Sequence, residues 1–156
     1  MRKQQKGFSL IELLIVVAII LIIAAIAIPN LLRSRMAANE ASAVGSLRTI
    51  NTACVTYSST YGTGFPAALA NLGTAGAATA ASADLIDNVL AGGSKSGYNF
   101  RYTPGAAAAG VIPTYTVNAD PITAGQTGQR HFFTDQSGVI RFNASAVATV
   151  NDTPIS

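Results

Sequence analysis

A single carboxylate, Glu12, stands inside a stretch, Phe8 to Ile28, that is otherwise apolar except for Ser9. Placed in a membrane, a carboxylate costs about 2.5–3.5 kcal/mol at the bilayer centre and less toward an end, and residues that carry this cost usually have a partner and a role. Glu12 follows Phe8 by one helical turn, and Gly7 stands directly before Phe8. Having no side chain, glycine leaves backbone open to a protease and breaks a helix just ahead of a cut. Cleavage after Gly7 would turn the Phe8 nitrogen into a cation one turn from the Glu12 anion. Two opposite charges left apart in apolar surroundings are costly, and pairing them between copies of the chain offsets that cost. The chemistry suggested is processing and ion pairing.

The element that must carry these groups is a helix. Leu13 to Ile28 contains no polar residue, and counting from Phe8 the run has 21 residues. At ~1.5 Å per residue it spans about 31 Å, the thickness of a bilayer's hydrocarbon core. It is apolar all the way round, with no solvent face. Arg2, Lys3 and Lys6 precede it, and Arg33 and Arg35 follow it. The positive-inside comparison places the N-terminus in the cytoplasm and the chain from Asn30 onward outside. Pro29 ends the run, either as a bend in a longer helix or as a break at the membrane surface. An ordinary signal peptide would instead be cut at a small-x-small site such as Ala25-Ile26-Ala27. A discarded signal peptide has no use for Glu12, which favours a segment that stays on the mature chain.

The rest of the sequence offers little other chemistry. The chain has 156 residues, of which 49% are hydrophobic and 11% charged, so it is neither disordered nor strongly nucleic-acid-like. Three of the ten Lys and Arg precede Gly7, so the remaining seven balance seven Asp and Glu, and no broad basic face exists for nucleic acid. The lone Cys54 excludes an intramolecular disulfide and reads as a buried apolar residue; the lone His131 excludes a multi-His metal site. Asp84 and Asp87, one turn apart on an expected helix, are too few for calcium. No phosphate-binding loop or nucleophile setting occurs. No catalytic residue, metal or cofactor is expected. Asn143-Ala-Ser145 and Asn151-Asp-Thr153 fit the N-glycosylation pattern, a short motif of low specificity.

Past Pro29 the pattern becomes a stripe: Ala37, Ala41, Val44, Leu47, Ile50, Cys54, Tyr57 and Tyr61 recur at steps of three and four. Asn39, Ser42, Ser46, Arg48, Asn51, Thr52 and Ser59 fill the gaps. This predicts an amphipathic continuation of the helix over residues 30–60, so that one helix runs from Phe8 to about Ser59. Gly62, Gly64 and Pro66 punctuate it. A short turn is expected within Ala67 to Leu72, and loop from Thr74 to Ser82. A helix over Asp84 to Ala91, capped at Ser82 or Asp84, should turn Leu85, Val89 and Leu90 inward. Tyr98 to Thr103 alternates, placing three aromatics on one face, and Thr114 to Asn118 alternates similarly. Phe132 to Thr134 and Val139 to Phe142 flank the turn sequence Asp135-Gln136-Ser137-Gly138. The expected fold is α+β: a long N-terminal helix packed against a head, residues 61–156, with a three- or four-stranded antiparallel sheet.

Lys6-Gly7-Phe8-Ser9-Leu10-Ile11-Glu12 followed by a long apolar run resembles the prepilin signature of the type IV pilin and pseudopilin family, over about Lys6 to Arg35. The resemblance implies a leader of residues 1–7, cleavage after Gly7 by a membrane aspartic peptidase, and N-methylation of Phe8 by the same enzyme. It also implies a filament-core helix over residues 8–29, in which Glu12 pairs with the N-terminal amine of a neighbouring subunit and Pro29 allows a kink. The implied partners are further copies of the chain, the peptidase, an assembly ATPase and a platform protein. The subunit would wait in the bacterial inner membrane and end in a surface filament. Two departures separate it from subfamilies: no second cysteine can staple a C-terminal loop, and no tryptophan accompanies the scattered Asp120, Asp135 and Asp152. The expectation is a non-enzymatic pilus subunit, with a type II secretion pseudopilin as alternative. A secreted binding protein cut after Ala27 is the rival from another class.

Overall fold

The structure, a computed structural model, describes residues 7–155, so the leader cations Arg2, Lys3 and Lys6 lie outside the described residues. Helix α1 runs from Leu10 to Tyr61, 52 residues, with Pro29 inside it. Pro29 therefore does not end the helix. Proline removes one amide donor, and the helical residues on both sides keep theirs. The start falls two residues after Phe8, because Ser9 occupies the position before the first helical residue. The chain divides into two compact units, Met1–Arg35 and Met36–Ser156.

In the first unit every large apolar side chain of α1 from Leu10 to Leu32 is exposed. In the second unit α1 buries Glu40, Ala43, Ser46, Leu47, Ile50, Ala53, Cys54 and Tyr57. Ala37 and Ala41 of the expected stripe are exposed. The buried face is rotated toward Glu40 and Ser46, and the head supplies hydrogen-bond donors to Glu40. Asn51 belongs to it as well, half-buried, donating to the Thr134 hydroxyl at 2.9 Å and accepting from the Tyr115 hydroxyl at 3.0 Å.

The head's sheet has six strands in sequence order, all neighbours antiparallel: β1 Ser94–Lys95, β2 Tyr98–Pro104, β3 Tyr115–Pro121, β4 His131–Asp135, β5 Arg141–Asn143 and β6 Thr153–Pro154. The fold is α+β, as expected, but with more than three or four strands. The additional ones, β1 and β6, are two residues long and too short to leave a period in the sequence. The hairpin over Asp135 to Gly138 forms, with Phe133 opposite Arg141. One sheet face carries Tyr98, Phe100, Tyr115, Val117, Ala119 and Phe132, which join Leu47, Ile50, Cys54 and Tyr57 of α1 in one core. Burying each large side chain contributes roughly 1.5–3 kcal/mol, which is what holds the sheet on the helix.

Between helix and sheet lie a 3-10 turn, Leu69–Leu72, and α2, which is only Asn88–Ala91. The expected helix from Asp84 does not form. Asp84 has φ +54°, a left-handed conformation that no right-handed helix contains, and its carboxylate accepts from the Thr74 hydroxyl. The cap is Asp87, which accepts from the Leu90 amide at 2.9 Å. Val89 points outward, Leu85 is half-buried, and Ile86 is buried in their place alongside Leu90. Asp84 and Asp87 are thus not on one helix.

Cys54 is fully buried, and burial pushes its thiol up to about 12, outweighing the lowering effect of the nearby Tyr115 and Tyr102 hydroxyls. The thiolate is the reactive form, so at pH 8 Cys54 of the folded chain should resist a maleimide and react fully only in denaturant, as read by intact mass.

Candidate assembly site

The N-terminal site is built from one helical turn. Phe8 is 83% exposed, and Gly7 has open space where a Cβ would stand. Ser9 precedes the first residue of α1, and its backbone N–H donates to Glu12 Oε2 at 2.9 Å. The Ser9 carbonyl in turn accepts from the Leu13 amide at 3.3 Å. A carboxylate three residues after the start of a helix satisfies an amide that has no partner within the helix, and it complements the positive end of the helix dipole. Glu12 is thus seated by local geometry, with Oε2 engaged by Ser9 among the described residues. The structure places Gly7, Phe8 and Glu12 together at the tip of an exposed apolar helix. Pro29, Arg33 and Arg35 lie farther along the same helix, the two arginines exposed. This is the one helix among the described residues long and apolar enough to cross a membrane.

Inside the head, a second carboxylate was not singled out by the sequence reading. Glu40 is 7% exposed, and its Oε1 accepts from the Gln129 amide at 2.8 Å and the Arg130 amide at 3.1 Å. Its Oε2 accepts from Arg130 Nε at 2.7 Å. Burial alone would raise the Glu40 carboxyl; the amides of Gln129 and Arg130 and the Arg130 guanidinium outweigh it and hold the group below the ordinary value. With a depressed folded-state value, the stability Glu40 contributes is present above the unfolded-chain value and is lost as pH falls through the folded one. A signal existed: Glu40 stands three residues after Ala37 and four and seven before Val44 and Leu47, at the spacing of the stripe.

The remaining candidates have structural settings. His131 Nδ1 lies 2.6 Å from Asp120 Oδ1 across β3 and β4. Asn143 donates to Asp152 and accepts from Ser145 and Ala146, so its amide closes the C-terminal loop. Arg141 Nη1 adds a bond to the Asp152 carbonyl at 3.0 Å. These contacts tie the loop where the chain has no disulfide. Among the described residues no group of three His, Cys, Asp or Glu could hold a metal.

Comparison with known proteins points to the same segment. The prokaryotic N-terminal methylation motif matches residues 2–28. The type IV wide pilus major component PilA4 of Thermus thermophilus is 63% identical over 38 residues, 24% of this chain and 29% of the relative. The type IV major fimbrial protein FimA of Dichelobacter nodosus is 50% identical over 58 residues, 35% of this chain and 37% of the relative. The chain therefore matches about a third of the length of these relatives, both structural components of pili or fimbriae by name. No solved structure matches the chain. The N-terminal segment of this chain thus carries the prokaryotic methylation motif and is similar to the corresponding part of two type IV pilus and fimbrial proteins.

Proposed function

We propose that the chain is the precursor of a structural subunit of a type IV pilus-like filament. A prepilin peptidase cuts after Gly7 and methylates the new amine at Phe8. The subunit is stored in the inner membrane, N-terminus toward the cytoplasm, held there by Arg2, Lys3 and Lys6 before cleavage. With an ATPase and a platform protein it then leaves the bilayer for a bundle of identical helices. The observation that carries this reading is that α1 from Leu10 to Ile28 is apolar with its large side chains exposed, except for one carboxylate in its first turn close to Phe8.

Residues 8–29 serve as the filament core in this reading, residues 30–60 join core to head, and residues 61–156 are the head. Moving from lipid to a bundle changes the surroundings of Leu10 to Ile28 little, since both are apolar. What changes is Glu12. Its Oε2 is bonded to Ser9, and after cleavage its negative charge pairs with the Phe8 ammonium of a neighbouring copy. Two unit charges 4 Å apart attract by about 4 kcal/mol at an effective dielectric of about 20. A misplaced neighbour forfeits that attraction, so the pair selects axial register. The fibre is favoured over a secretion pseudopilus because both relatives named above are major components of pili or fimbriae.

Intact mass and N-terminal sequencing of the protein from its native membrane test the processing step. The expected result is a chain that begins at N-methylated Phe8. A chain that begins at Ile28 would establish the secreted-protein reading instead.

A further inference from the structure

Glu40 is the first residue of α1 that the head fully buries; Asn39 before it is half-buried, and Ala37 and Ala38 are exposed. Three directed N–H groups converge on its carboxylate, all from Gln129 and Arg130. The receiving segment is itself locked. The Arg130 guanidinium lies 5.4 Å from the ring centres of both Phe132 and Phe142, and the Tyr98 hydroxyl donates to the Arg130 carbonyl at 2.8 Å. Gly128 fits so closely over Tyr98 that an added Cβ would lie 2.0 Å from its hydroxyl oxygen. Beside Glu40, Asn39 donates to the Thr127 carbonyl at 2.8 Å, and Ser42 bonds Ser96 at 2.9 Å. An apolar side chain here would tolerate a slide or a rotation of the helix. A carboxylate that must meet three N–H groups in line tolerates neither.

We infer that Glu40 is a positioning residue: clasped by Gln129 and Arg130 and flanked by the Asn39–Thr127 bond, it fixes the point on α1 at which the head begins to bury the helix. That this boundary serves assembly, by letting the apolar segment bend into a bundle while the head stays in register, rests on the subunit reading above. Hydrogen–deuterium exchange on the full chain in detergent micelles tests it, since helix amides held by packing exchange more slowly than those held by helix bonds alone. In the wild type, protection should rise in a step near residue 40. In Glu40→Gln, which keeps the length of the side chain but sets an NH2 against Arg130, peptides covering residues 40–46 should exchange about tenfold faster while β2, β3 and β4 do not change. A wild type with no step, an unmoved step in the variant, or equal loss across β2 to β4 would each overturn the inference. The measurement needs no filament. Absence of filaments from native wild-type material would count against the subunit reading alone.

Discussion

Replacing Glu12 with alanine is expected to abolish filaments while leaving the chain inserted in the membrane and cleaved after Gly7. Insertion depends on the apolar run from Leu13 to Ile28, and removing a carboxylate only makes that run more apolar. In the proposed processing, cleavage depends on backbone access at Gly7, where no described residue lies within 4 Å of an added Cβ. Assembly is different. Without Glu12, each incoming Phe8 ammonium would enter the bundle with no counter-charge, and an unpaired buried charge costs on the order of 3–5 kcal/mol. Spread over every subunit contact, that is a factor of at least about a hundred in the local equilibrium at each addition. The variant also loses the Ser9 bond, so the first turn of α1 should fray. Sheared-fibre yield by electron microscopy, read beside the intact mass of the membrane fraction, separates the outcomes. Wild-type fibre yield from the alanine variant would remove the pairing role.

The second large effect is expected at Gly64, in the connection that follows α1. Gly64 has φ +76°, and a Cβ placed on it would lie 2.2 Å from the Ile112 carbonyl oxygen and 2.8 Å from the Ile112 nitrogen and carbonyl carbon. All three are backbone atoms, so no side-chain rotation relieves the clash. They are also in use, because Phe65 N–H donates to Ile112 O at 2.8 Å and Ile112 N–H donates to Thr63 O at 3.1 Å. Gly64→Ala must distort this crossing as well as adopt a left-handed backbone. The combined cost is about 2–5 kcal/mol, from roughly 1–2 for the conformation and 1–3 for overpacking. Gly125→Ala is the control. It has nearly the same φ, +77°, but nothing within 4 Å of the added Cβ, so only the conformational cost of about 1–2 kcal/mol applies. At ~2–4 °C per kcal/mol for a chain of this size, thermal unfolding should separate the two variants by several degrees. Equal melting temperatures would mean that the Thr63–Phe65 crossing over Ile112 yields at no cost.

The apolar helix and its lone acid were legible because they need no tertiary partner to be recognised. An unbroken run such as Leu13 to Ile28 can be satisfied only by lipid or by other apolar helices, and Glu12 stands out because nothing around it can solvate it. The alternating aromatics of β2 were equally plain, since a half-buried strand repeats every two residues. The edge strands were not, because two residues carry no period.

What tertiary structure decided is the fate of polar residues near the stripe. Glu40 and Asn51 are polar residues on or beside the stripe, and only Arg130, Thr134 and Tyr115, 64–90 residues away, bring donors and acceptors to them. Asp84 looked like a helix start until its backbone was found in a left-handed turn, which left Asp87 to cap α2. Composition and period determine which segments must leave water. Whether a polar group can go with them depends on a hydrogen-bonding partner supplied by a distant part of the chain, and only the folded structure specifies that partner.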